Sequence, residues 1–401
     1  MPSDARQWQF ARKCFVPTLM LLVVICGTFN SITGKIRAVA LGVYSGLISN
    51  LVCEIMYFLV YGLLLSFNVC FGRVPREQWI WVILPRKSDE LGYSARGIRG
   101  FFKRLPGVKF AALAGVVEVT GDYLIFSTQG SLSIVMYKLL QQFIVPSTLI
   151  WSVILLRSRY ILQELLSVLL VVVVAVVAIV TSSEGEGDTS GEDSVSDALI
   201  FGLAMVMQSC AFVVKELMFI EFSAHAQIKN YQITNLNVFL MSASTHFFGM
   251  LLVLPLSSLL QIMAGQDDVA DMLTNGFTLL VSDAMVARWF AVYMAVNILF
   301  NMSLYYLIAY ASSALAFLCV TVTLPASVIL SLFNWPLIGS SAVPWIQWVA
   351  LFIMLAGVIA FRHGNKVRAN LEARDNGCQR PRICCWPLRG RLQWRASPQP
   401  T

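Results

Sequence analysis

Charge is scarce in this chain. Only 13% of its 401 residues are Asp, Glu, Lys or Arg, about half the ~25% share usual in soluble domains. With 57% hydrophobic residues and a mean hydropathy of +0.71, most of its length is excluded from forming a water-facing surface. Histidine is nearly absent. His225, His246 and His363 lie far apart without HExxH spacing, so no metalloprotease-type centre is expected. The nine cysteines show no CxxC pairing, which argues against zinc and against a disulfide framework. No GxxxxGK[ST] stretch occurs, so ATP drive is not expected either. Neither a metal nor any other cofactor is implied, there is no catalytic residue set for an enzyme, and nothing points to a nucleic-acid partner.

What remains is a series of long apolar runs. A bilayer-spanning helix needs ~20 mostly apolar residues. Ten candidates are read, at 15–34, 44–67, 108–128, 131–156, 161–181, 198–221, 235–260, 287–309, 313–334 and 345–362. The expected fold class is therefore an all-α integral membrane protein with ten transmembrane helices. The first run lacks a cleavage site and reads as a retained helix.

Orientation follows from charge, because Lys and Arg collect on the cytosolic side. With ten spans both termini share one side. The terminus-side segments hold 24 of the 29 Lys and Arg, so both termini are expected in the cytosol. On the opposite side stand Lys35, Arg37 and Arg288. That side is otherwise acidic, with Glu184 to Asp197 in one loop and Asp267, Asp268, Asp271 and Asp283 in another. Such loops either keep their charge in water or form a mouth that concentrates cations.

The acidic linker divides the chain into 1–14, a cytosolic N-terminus; 15–181, a first five-helix repeat; 182–197, the linker; 198–362, a second five-helix repeat; and 363–401, a basic cytosolic tail. Five spans per half is an odd number, so the second half enters the bilayer from the other side. An offset of 179 superposes Asp122 on Asn301 and Pro146 on Pro325, both pairs enclosing the same 24-residue interval. Inverted repeats of this kind build transporters whose site lies at the midplane, marked by matching helix breaks. Pro146 and Pro325 are the expected breaks.

The run KLLQQFIVP places Lys138, Gln141 and Gln142 on one helical stripe above Pro146. A charge at the bilayer centre costs at least ~2.5 kcal/mol, so the stripe faces protein or water. Asp122 and Lys138 each lie eight residues from the turn at Gly130, which allows them to pair at equal depth. That pair is either structural or part of an ion path. Pro146 frees the carbonyl of Gln142, which then lines a cavity or merely marks a kink. Glu54, on a face with Asn50, Tyr57 and Tyr61, is a candidate proton carrier. Asn297, Asn301 and Tyr305 repeat at four-residue spacing as cavity or interhelical groups. His246 reads as a hydrogen-bonded core histidine, and Lys215 with Glu216 as a snorkelling or mutually paired couple.

The stretches QFIVP (142–146) and ILLRSRY (154–160), the valine-rich helix that follows, the acidic linker, Lys215-Glu216 and GVIAFRHGN (357–365) together resemble the chloroquine-resistance-transporter-like (CRT-like) family of the drug/metabolite transporter superfamily. The likeness spans about 108–366. It implies two inverted five-helix repeats around a central cavity. It also implies a carrier in a vacuolar, lysosome-like or plastid membrane for amino acids, small peptides, glutathione-like thiols or cationic drugs, often with protons. Gln142 matches the family's cavity glutamine four residues before the proline. The loop 261–286 departs from the parasite transporters in lacking the cysteines that crosslink it there. The short N-terminus favours a vacuolar or lysosome-like endomembrane over a plastid envelope.

The expected function is secondary active transport of a small-molecule substrate across a lipid bilayer, by alternating access and coupled to protons or potential. The alternative is an exchanger of nucleotide sugars or phosphorylated metabolites on the same fold, which needs basic residues at cavity depth. A channel lined by the same polar stripes is the third reading.

Overall fold

The computed structural model describes residues 3–84 and 106–340, apart from 159, 185–194, 232, 234, 266–267 and 312, together with scattered positions from 345 to 367. Among the described residues helices follow one another without a strand: α1 (Ser3–Leu41), α2 (Ser45–Cys70), α3 (Arg76–Ile83), α4 (Pro106–Thr128), α5 (Ile134–Gln141), α6 (Ile144–Leu155), α7 (Leu162–Glu184), α8 (Val195–Ile228), α9 (Val238–Met263), α10 (Val269–Ser282), α11 (Ala284–Tyr310) and α12 (Ser313–Ser331).

Local chemistry sets several boundaries. Gly42 has φ +53°, a conformation glycine adopts at little cost, and a single 3-10 turn there links α1 to α2. Side-chain oxygens cap the starts of four helices: Ser133 at α5, Asn237 at α9, Asp268 at α10 and Asp283 at α11. Two of the acidic residues read as loop charges, Asp268 and Asp283, are thus helix caps. The loop 261–286 is mostly the helix α10, and the basic segment after Arg73 begins with α3, whose Gln78, Trp81 and Val82 are buried.

Among the described residues six stretches are long and apolar enough to cross a bilayer: Phe15–Cys70, which covers most of α1 and all of α2, Gly107–Thr128, Ile134–Leu155, Ser196–Ile228, Val238–Met263 and Ala284–Tyr310. Shorter apolar helices cover Leu162–Val174 and Cys319–Ser331. The expected span 345–362, the linker at 185–194 and the tail beyond 367 fall largely or wholly outside the described residues.

Surface chemistry is inverted relative to a soluble protein. Leu59, Leu63 and Phe67 on α2, and Leu165, Leu166 and Leu169 on α7, point outward, while Arg37, Glu54, Glu118, Lys138 and Lys215 are buried. Lipid cannot satisfy polar groups, so charge must be enclosed by the helices. The chain is a multi-pass membrane protein. Its most extensive packings are α4 on α8, α1 on α11 and α2 on α9. A Cβ at Gly115 of α4 would stand 2.8 Å from the Thr245 carbonyl oxygen and 3.0 Å from the Gly249 nitrogen of α9. Without a side chain at 115, the two backbones approach closely.

Candidate functional site

The helix carrying KLLQQFIVP is interrupted. Between α5 and α6 the ladder shortens to i+3 bonds, with Gln142 N donating to Leu139 O at 3.1 Å and Phe143 N to Leu140 O at 3.0 Å. Pro146 supplies no N–H to the carbonyl of Gln142, but Val145 N donates to it at 3.1 Å. That carbonyl is therefore reclaimed locally. Pro325, by contrast, lies inside α12, which runs on without interruption to Ser331.

Beside the interruption lies a partly open cavity of about 100 Å³. Its polar lining comes from Asn30 of α1, Tyr57 of α2, Glu118 and Asp122 of α4, Gln129 just after it, Tyr137 and Gln141 of α5, Gln208 of α8, and Tyr293, Asn297 and Asn301 of α11. Asn297 Nδ2 donates to the hydroxyls of Tyr57 at 2.5 Å and Tyr293 at 2.7 Å; Asn301 Nδ2 donates to Tyr57 at 3.1 Å and to Asn297 Oδ1 at 3.0 Å. Gln208 donates its amide to Asp122. Asn30 Oδ1 is buried without a hydrogen-bond donor.

Four of the residues expected at a site, Asp122, Gln141, Asn297 and Asn301, line this cavity, whereas Gln142, Lys138, Glu54 and Tyr305 do not. Gln142 is 2% exposed and donates to the Lys138 carbonyl at 3.2 Å. Sequence reasoning missed Asn30, Gln129, Tyr137, Gln208 and Tyr293. The signal for Gln208 was present, since it lies seven residues, two turns, before Lys215 on the same face.

Asp122 and Lys138 do not pair. Lys138 Nζ, fully buried, donates to Gln141 Oε1 at 2.8 Å and to Thr323 Oγ1 of α12 at 3.3 Å. Lys35 and Arg37, placed by charge in a loop, belong to the buried last turns of α1. Lys35 Nζ donates to the carbonyls of Gln129, Gly130 and Leu132 at 3.2, 2.7 and 2.5 Å, which cap the end of α4. The Arg37 guanidinium lies 4.2 Å from the Phe126 ring centroid and 4.3 Å from that of Tyr293, and donates to Gln129 Oε1 at 2.9 Å. Its Nε and Nη1 have no hydrogen-bond acceptor.

A second polar group reaches the cavity through Glu118 and is otherwise buried among the helices. Lys215 Nζ of α8 donates to both carboxylate oxygens of Glu118, at 2.6 and 2.7 Å, and to the Tyr305 hydroxyl at 2.9 Å. The Tyr305 hydroxyl also donates to Glu118 Oε1 at 3.1 Å and stands 3.4 Å from His246 Nε2. His246 Nδ1 meets Glu54 Oε2 at 3.0 Å. The rings of Tyr57 and Tyr61 flank the imidazole, with centroids at 4.8 and 5.4 Å. Lys215 thus pairs across helices with Glu118, a contact the adjacent Lys215-Glu216 sequence did not reveal.

Among the described residues no cluster of His, Cys, Asp and Glu is suited to a metal. No curated protein is significantly similar to the chain. Residues 97–361, more than half of the chain, match the family described as CRT-like, chloroquine-resistance transporter-like, a family of membrane transporters. Enclosed polar residues, an interrupted helix beside a central cavity and that match lead to one conclusion: the chain belongs to the CRT-like family.

Proposed function

We propose that the protein is a secondary active transporter that works by alternating access and moves small organic solutes, such as amino acids, small peptides, glutathione-like thiols or cationic drugs, together with protons. The observation that carries this reading is the polar cavity at the interrupted helix, lined from both halves of the sequence. Its volume of about 100 Å³ holds only a few waters at ~30 Å³ each. Sites for drug-sized ligands occupy roughly 300–1,000 Å³. A solute of the proposed classes therefore needs the helices to part, as in a carrier, rather than a standing pore.

Ten helices in two inverted repeats are part of the proposal. Under that symmetry α1 corresponds to α8, α2 to α9, α4 to α11, and α5 with α6 to α12. The α4–α8 packing then maps onto α11–α1, the α1–α12 packing onto that of α8 with α5 and α6, and α2–α9 onto itself. These correspondences support the repeat, although α4–α9 has no equally extensive counterpart. Both termini are assigned to the cytosol on the charge distribution.

A second reading, exchange of anionic metabolites, gains from Lys138 and Arg37. Both are buried near the cavity, and neither forms an ion pair with a carboxylate among the described residues. Uptake into liposomes containing the purified protein separates the two readings. The panel is amino acids, di- and tripeptides, glutathione, a lipophilic cation and sugar nucleotides, each with and without a pH gradient. Saturable, gradient-accelerated uptake of one of the first four is expected. Uptake confined to sugar nucleotides favours the exchanger, and no saturable uptake of any solute contradicts both.

A further inference from the structure

Of the three carboxylates at the centre, Glu118 accepts from Lys215 at both oxygens, and Asp122, half-buried on the cavity wall, accepts from Gln208 at Oδ1. Glu54 differs. Its Oε2 meets His246 Nδ1 at 3.0 Å, while its Oε1 is buried with no hydrogen-bond donor. Glu54 and His246 are each 1% exposed. A carboxylate oxygen stripped of water and of donors is costly unless the group takes up a proton.

The packing is shaped around this dyad. Gly249, one turn beyond His246, presents its open face to the Glu54 carboxylate, in the space that a side chain there would fill. A hydrogen-bonded route also leads out of it. From Glu54 it passes through His246 to the Tyr305 hydroxyl at 3.4 Å, then to Glu118 at 3.1 Å, and Glu118 lines the cavity.

We propose that Glu54 and His246 together form the site that binds the transported proton, loaded from the cavity through Glu118 and Tyr305. The inference deepens the carrier reading and rests on it. The step conserves protons: Glu118, protonated from cavity water, gives its proton to the Tyr305 oxygen as the Tyr305 O–H proton passes to His246 Nε2. The dyad gains one proton, while Glu118 and Tyr305 return to their starting states. Titratable groups facing the dyad are Tyr57 and Tyr61 from its own helix α2, Glu118 and Asp122 from α4, Lys215 from α8 and Tyr305 from α11. Helix α10, which also packs on α2, carries its Asp271 exposed.

The test uses proteoliposomes of the wild type, E54Q and H246Q, read in two ways: solute accumulation under an inward proton gradient, and counterflow at equal pH. With one proton per solute, each pH unit supports about tenfold accumulation. Both variants are expected to lose that accumulation, with the ratio falling to about 1, while counterflow persists. Undiminished accumulation in both variants overturns the proposal. Wild-type counterflow without any gradient effect overturns it alone, whereas absent wild-type counterflow overturns the carrier reading beneath it. Acid-minus-alkaline infrared difference spectra of the wild type need no variant and cover the case in which E54Q or H246Q fails to fold. Carboxyl and imidazole bands changing together are expected, and a spectrum lacking either contradicts the dyad.

Discussion

The cavity and the buried cluster beside it use the same kinds of side chain in opposite ways. Around the cavity, Asn30, Gln141, Gln208, Asn297 and Asn301 present neutral amides, and of its two carboxylates Asp122 is held by an amide while Glu118 reaches in from the cluster. A few ångströms away, Lys215, Glu118, Tyr305, His246 and Glu54 are bonded to one another across five helices. Neutral amides rearrange around a solute at little electrostatic cost. Ionised groups out of water hold together only while each keeps its partner. The cavity is thus suited to exchanging contacts, and the cluster to holding helices in place and storing a proton.

Substitutions in the two regions should separate accordingly. The largest effect is expected for Lys215→Met, which leaves Glu118 buried without its cation at a cost of about 3–5 kcal/mol. The purified protein should lose thermal stability in detergent, and the double variant Lys215→Met/Glu118→Gln should recover most of it. A stable single variant would mean that Glu118 does not depend on Lys215 and that the contrast is false. Gly249→Ala comes next. Its methyl group meets the Glu54 carboxylate, and overpacking of this kind costs ~1–3 kcal/mol. The melting temperature should fall modestly and gradient-driven accumulation more.

Asp122→Asn keeps an acceptor for Gln208, so folding should be preserved. Transport should nonetheless drop by about tenfold for a cationic solute, equivalent to ~1.4 kcal/mol. Equal loss for cationic and neutral solutes would show that Asp122 only shapes the cavity wall. The smallest and most discriminating pair is Gln141→Ala against Gln142→Ala. Gln141 lines the cavity and Gln142 lies behind it. KM should rise several-fold, on the order of one lost hydrogen bond, for the first and stay nearly level for the second. The reverse order would restore Gln142 as the contact residue.

Much of this arrangement was legible in the sequence because buried charge in a membrane helix must be enclosed. Asn50, Glu54, Tyr57 and Tyr61, and likewise Asn297, Asn301 and Tyr305, could be assigned to inward faces by spacing alone. Partner choice was not legible. Equal distance from the Gly130 turn suggested that Asp122 meets Lys138, but Asp122 turns toward α8 and Lys138 toward α12. Which third helix fills the gap between two neighbours is a tertiary matter that depth cannot decide. Arg37 was misplaced for a related reason. A cation at the end of an apolar run reads as a loop residue unless rings such as Phe126 and Tyr293 are known to enclose it. Pro146 and Pro325 match in sequence, yet only the helix before Pro146 is interrupted.

The central claim is that the cavity belongs to a carrier. Counterflow tests it most directly: liposomes loaded with unlabelled solute are diluted into a trace of the labelled form at equal pH and potential. The account predicts that label inside rises transiently above its equilibrium level and then falls, because influx and efflux share one alternating site. A monotonic, non-saturating approach to equilibrium would contradict it and make the polar stripe the lining of a pore.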